Sequence, residues 1–139
     1  MTAAAGSAGP GAGPPVAVTL VTGPTAGARE AAIAARLQQI KTEQVAPGTG
    51  IEAVILEGLA DAQTSLAPSP SLLISRISAG CLCCAGNLVL RVTLNRLLRQ
   101  RPCRLFIGVA RSEHLDQLRS WLQSAPYDQL LELTPDLNT

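Results

Sequence analysis

Residues 16–40 read VAVTLVTGPTAGAREAAIAARLQQI. The opening VAVTLVT (16–22) is an apolar, β-branched run without polar alternation, the pattern of a strand buried on both faces. Gly23 ends it. After a short loop, Ile33, Leu37 and Ile40 recur at i, i+4 and i+7, which predicts a helix with one apolar stripe. The alternation continues downstream. IEAVILE (51–57) reads as a second buried strand, and Pro68 and Pro70 in LAPSPS (66–71) forbid regular structure before the third, LLISRIS (72–78). Leu90, Leu94, Leu97 and Leu98 predict a helix over 87–100, stopped by Pro102. CRLFIGVA (103–110) is a fourth strand. Ser112 is placed to cap a helix that turns Leu115, Leu118 and Leu122 inward, and LLELT (130–134) begins a fifth strand. Continuous apolar strands alternating with helices predict an α/β three-layer sandwich, a mostly parallel sheet with helices on both faces.

The chain is 139 residues long, one small domain's worth. Residues 1–15 are Ala, Gly, Pro and Ser repeats with nothing to bury, so a disordered tail is expected there and a folded domain over 16–139. Hydrophobic residues make up 47 % and aromatics 2 %, so the core must be aliphatic around Phe106, Trp121 and Tyr127. A net charge of +1 gives no field for a polyanion, and nucleic acid is not an expected partner. Arg91, Arg96, Arg99, Arg101 and Arg104 cluster, but on a helix they fall mostly on its solvated face. No apolar run approaches the ~18 residues that span a bilayer. The first residues lack the basic and apolar regions of a secretory signal, so a cytoplasmic location with reduced thiols is expected.

That expectation sharpens the stretch AGCLCCAGN (79–87), which holds three of the chain's four cysteines. Gly80 and Gly86 allow the bend that lets Cys81, Cys83 and Cys84 converge. Three thiolates fill three corners of a zinc tetrahedron and leave the fourth to water, a nearby side chain or a second protein. Such a site suits a carrier better than a structural staple. Zn²⁺ and Cu⁺ match soft sulfur donors, and Co²⁺ can stand in for them. Candidates for the fourth place are Glu57, at the end of the second strand, His114 and Cys103. The plainer readings are a surface histidine at a helix start and a cysteine buried in a strand. For the cluster, a reversible disulfide or an inert loop of small residues are the competing readings. No basic neighbour is evident to depress a thiol pKa.

The loop after the first strand sits where a phosphate cradle would lie. A P-loop, G-x-x-x-x-G-K-[ST], needs a second glycine, a lysine on the phosphates and a hydroxyl on Mg²⁺. Counted from Gly23, those positions hold Ala28, Arg29 and Glu30, with Gly27 one place early. Arg29 can meet a phosphate bidentately. Glu30 puts a negative charge beside the phosphates, and a like-charge contact at ~4 Å costs on the order of 4 kcal/mol at an effective dielectric near 20. GTP and Mg²⁺ are therefore disfavoured by the sequence.

Together, VTLVTGPTAGARE, VILEGLAD (54–61), ISAGCLCCAGNLVLRVTLNRLLRQ (77–100) and RLFIGVARSEHLDQL (104–118) resemble the CobW-like branch of P-loop GTPases, a family associated with zinc and cobalt handling. The resemblance runs over roughly residues 16–135, about half of a full GTPase domain. It implies a strand leading into a G-C-x-C-C loop, a metal ion as cargo, and Glu57 in a switch segment as the residue that completes the site. It also implies a nucleotide site at Gly23, Gly27, Arg29 and Glu30. Arg29 replaces the lysine, Glu30 replaces the hydroxyl, Gly108 stands where the family has an acidic residue, and Ala110–Arg111 stands for Ser/Thr-Gly. The expected function is a zinc-binding, metallochaperone-like protein with a degenerate nucleotide site and no catalysis. Its partners would be the metal and either a recipient metalloprotein or a second copy of the chain. The alternatives are a non-catalytic pseudo-GTPase that serves as an interaction module and, if any activity survives, GTP hydrolysis.

Overall fold

The structure is a computed structural model that describes residues 15–43, 50–58, 66–77, 88–110, 115–124 and 126–139. Residues 1–14 of the tail expected over 1–15, the three clustered cysteines, Ser112 and His114 lie outside them. The elements are β1 (Val16–Thr22), α1 (Ala26–Glu43), β2 (Glu52–Glu57), β3 (Leu72–Ile77), α2 (Leu88–Leu98), β4 (Arg104–Val109), α3 (Leu115–Leu122), a 3₁₀ turn (Tyr127–Gln129), β5 (Leu131–Leu133) and β6 (Leu137–Asn138). The strand order is β3-β2-β4-β1-β5, with β6 also on β1, and every strand pair is parallel. The α/β architecture read from the sequence is the one found.

Both faces of the sheet are covered, which is why its central strands carry no polar alternation. Ile33 and Leu37 of α1 pack with Val21, Val54, Leu56 and Phe106 on one face. Leu90, Leu94 and Leu97 of α2 and Leu118 and Leu122 of α3 pack with Val18, Leu20, Ile55, Leu105 and Ile107 on the other. Leu98 and Leu115 are only partly buried at its margin. Neighbouring β1 and β4 thus send the chain to opposite faces. In open α/β sheets that switch point leaves a crevice at the carboxyl ends of the strands, where ligands bind.

Two boundaries differ from the expectation. The fifth strand stops after Leu133 and resumes on β1 at Leu137, because Pro135 has no N–H to give the ladder. Helix α2 closes with Gln100 N–H on Leu97 O at 3.0 Å and Arg101 N–H on Leu98 O at 3.0 Å. Arg101 takes a left-handed φ of 55° to make the turn into Pro102.

Cys103 is also a correction. It is exposed, in the bend that precedes β4, and not buried within a strand. Its N–H bonds Ile51 O at 2.8 Å, which fixes it at the amino edge of the sheet. Glu57 lies at the carboxyl edge, roughly 20 Å away across a six-residue strand. Cys103 therefore cannot complete a site there.

The single tyrosine gives a clean probe of the α2–α3 face. Tyr127 is buried, its ring centroid 4.9 Å from that of Trp121, and its hydroxyl donates to Asn95 Oδ1 at 2.8 Å. Burial pushes the phenol pKa up, while the charge of Arg91 pulls it part-way back. The folded chain thus holds this proton more tightly than the unfolded chain. Its contribution to stability is complete below the ordinary phenol value of about 10 and is lost as pH rises through the folded value. Phenolate absorbance should therefore rise later in the native protein than in denaturant. Tyr127→Phe should remove that step and cost about 1 kcal/mol in urea unfolding.

Candidate functional site at the carboxyl edge

The four carboxyl ends of β1, β4, β2 and β3 bring four buried polar residues to one edge: Thr22, Arg29, Glu30 and Glu57. Each has a described partner. The link from β1 to α1 is only Gly23, Pro24 and Thr25, and Thr25 Oγ1 accepts the Ala28 N–H at 3.0 Å as an N-cap. Gly27 is already the second residue of α1 and takes no part in the loop.

Arg29 folds back, and its Nη1 donates to Gly23 O at 2.8 Å. Glu30, 2 % exposed, accepts both guanidinium nitrogens of Arg76, Nη1 on Oε2 at 3.1 Å and Nη2 on Oε1 at 3.3 Å. Arg76 reaches it from β3, so the pair ties the start of α1 to the far edge strand. Above Gly23, an added Cβ would overlap the Thr139 hydroxyl and approach Arg29 Cγ at 3.2 Å. Thr139 is held there by its N–H on Thr22 O at 3.0 Å, and Thr22 Oγ1 donates to Asn138 Oδ1.

On β4, Gly108 is buried in the strand and not beyond its end. A Cβ there would meet Leu56 Cδ2 at 3.2 Å. The residues that stand at the P-loop positions are thus joined to one another and to Arg76. That arrangement does not fit a nucleoside triphosphate with Mg²⁺: the cradle is too short, its cation is bonded to its own carbonyl, and a buried carboxylate stands at the hydroxyl position.

Glu57 faces the α2–α3 side of the sheet. Its Oε1 accepts the Ala110 N–H at 2.9 Å, joining the ends of β2 and β4. Gly58, with φ 108°, makes the left-handed turn that ends β2, and its N–H bonds Ile77 O at 2.8 Å. The β2–β3 register pairs Glu57 with Ile77. The chain bearing Cys81, Cys83 and Cys84 starts immediately after Ile77 and returns at Leu88, the first residue of α2. Extended chain covers at most ~3.6 Å per residue, so the four steps from Ile77 keep the Cys81 Cα within ~14 Å of that strand end.

No group of three His, Cys, Asp or Glu side chains clusters among the described residues, which exclude those three cysteines. Among the described residues, no helix is long and apolar enough to cross a membrane. Comparison with protein-family models, curated proteins and solved structures gives no match. Arg76 is the site residue that the sequence reading missed. Its signal was present as the one charge inside the buried-strand run LLISRI.

Proposed function

We propose that this chain is a metal-binding, metallochaperone-like protein of CobW-like descent whose nucleotide position has been converted into structural contacts. Zinc is the first choice of cargo. Cys81, Cys83 and Cys84 supply the thiolates and Glu57 the oxygen donor. The observation that carries the reading is the parallel register of Glu57 with Ile77, which starts the cysteine segment beside a buried carboxylate at the carboxyl edge. A carboxylate offers about four lone-pair sites, so Glu57 can accept the Ala110 N–H and still act as an oxygen donor to a metal ion. Three thiolates and one oxygen suit Zn²⁺, and an exchangeable fourth donor suits transfer to a recipient. A reducing, cytoplasmic setting keeps the thiols competent.

The internal pairing of Arg29 and Glu30 supports the absence of GTP hydrolysis in this reading, because neither group is aimed at a transferred phosphoryl.

A cobalt titration of the reduced full chain tests it. The Co²⁺–thiolate charge-transfer band should saturate stoichiometrically and vanish in Cys81→Ser, Cys83→Ser and Cys84→Ser. Glu57→Gln keeps an acceptor for Ala110, so it should fold normally yet weaken the metal by about tenfold or more. A chain that gives no thiolate band at micromolar cobalt refutes the proposal.

A further inference from the structure

The net charge of +1 conceals an asymmetry along the chain. Residues 62–112 hold seven of the eleven basic residues and none of the ten acidic ones. Helix α2 lies within that stretch, and its core-facing side is set by Leu90, Leu94 and Leu97, all buried. Helical spacing then puts Leu88, Val92 and Arg99, at i, i+4 and i+11, on one outward ridge with Arg96 beside it.

The exposures agree. Leu88 is 68 % exposed, and with Val89 and Val92 it makes up three of the four exposed large hydrophobics among the described residues. Arg91, Arg96, Arg99 and Arg101 are exposed as well. The ion pairs among the described residues join Arg76 to Glu30 and Arg119 to Asp116 and Asp136, and none reaches these four. A solvated surface ordinarily intersperses both signs of charge. The helix dipole favours cations at the carboxyl end of α2, but it gives no reason for bare aliphatic groups at the other. On the flank toward β3, a groove of about 300 Å³ borders the ridge at Arg96, Leu97 and Gln100.

We propose that the outward ridge of α2 docks an acidic amphipathic helix of a partner protein. A ridge at helical spacing fits the groove of a second helix. From Leu88 to Arg99 it runs roughly 16 Å, about three turns. Aliphatic side chains of the partner cover Leu88, Val89 and Val92, and its carboxylates, a turn or two further along, meet Arg96 and Arg99. The apolar contact supplies affinity, and the charges supply register and steering.

Other occupants fit less well. The chain's own segments outside the described residues carry at most one acid each. A second copy offers exposed carboxylates that are spread over both faces of the sheet, Glu43 on α1 and Asp116 on α3. Nucleic acid would leave the aliphatic end unused, and the ridge has no aromatic ring for a base to stack on. An interfacial membrane helix separates apolar from basic groups around its circumference, whereas here they succeed one another along one ridge.

The test uses the full reduced chain and an end-blocked helical peptide with leucines on one face of its first half and glutamates on that face of its second. Control peptides carry lysine for glutamate or serine for leucine. Fluorescence anisotropy should show saturable binding of the first peptide, about tenfold weaker binding without its leucines, and none of the lysine peptide. Arg96→Glu should lower the affinity for the glutamate peptide by about tenfold and admit the lysine peptide, while circular dichroism stays native. Arg36→Glu makes the same charge change on the exposed side of α1 and should leave binding unaltered. Overturning results are no binding of the glutamate peptide at millimolar concentration, equal binding of all three peptides, or equal losses in the two variants. Displacement of the peptide by phosphatidylserine vesicles or a single-stranded oligonucleotide would reassign the ridge to lipid or nucleic acid. A dimer in sedimentation that Arg96→Glu dissociates would reassign it to a second copy.

Discussion

Replacing Gly108 by aspartate should bring the protein close to unfolding. A carboxylate at this position is what a nucleotide-binding strand of the CobW-like pattern would carry, so the substitution asks whether the site still has room for one. Gly108 lies within β4, paired with Val21 of β1 and Leu56 of β2. A Cβ placed on it meets Leu56 Cδ2 at 3.2 Å, and the side chain beyond would enter the apolar cluster of Val21, Val54, Leu56 and Phe106.

An uncompensated buried charge costs about 3–5 kcal/mol, against total stabilities of about 5–15 kcal/mol for a domain. Gly108→Ala is the control. It adds the crowded methyl without the charge, and Leu56 need yield only a few tenths of an ångström. Its cost should be about 1 kcal/mol, within the 1–3 kcal/mol typical of mild overpacking. Urea unfolding separates the two. If Gly108→Asp is as stable as Gly108→Ala, an acidic group is accommodated there and the closed-site reading is wrong.

The fold was legible because its signals are local. Runs such as VAVTLVT and EAVILE announce strands buried on both faces, and the spacing of Ile33 with Leu37 announces the helix between them. What escaped depends on distant residues. Cys103 sits beside an apolar run and reads as part of it. Only the bond to Ile51 shows that it lies outside the strand, at the edge opposite Glu57. The second half of the broken edge strand, Leu137–Asn138, is too short to have a period, and β1 alone defines it. Sequence spacing set Arg29 and Glu30 in the loop after β1, whereas the structure places them in the first turns of α1. It could not say where they point, because their partners are a carbonyl in the preceding loop and an arginine on the far strand.

That arginine carries the last prediction, which rests on an asymmetry within one ion pair. Glu30 is 2 % exposed, whereas the Arg76 side chain is 22 % exposed. Removing the cation takes the bidentate charge partner from a carboxylate that is almost wholly buried. Removing the carboxylate leaves a guanidinium on a long stem that can swing outward. Arg76→Leu should therefore cost about 3 kcal/mol or more, and Glu30→Leu only about 1–2 kcal/mol. The double replacement should recover most of the loss, since an apolar pair of similar volume often matches a buried ion pair in stability. The coupling read from this cycle would then be large and favourable in the wild type. Equal costs for the two single variants would mean that Glu30 reaches solvent and that its burial does not govern the pair. The functional side of the same cycle is a thermal-shift assay with GTP and Mg²⁺. Because Glu30 is committed to Arg76 and not to a cation site, neither the wild type nor any of the three variants should be stabilised by the nucleotide. A shift in the wild type that Arg76→Leu abolishes would show the pair to be an organiser of a working site, and the contacts around Gly23 would have to open to admit the phosphates.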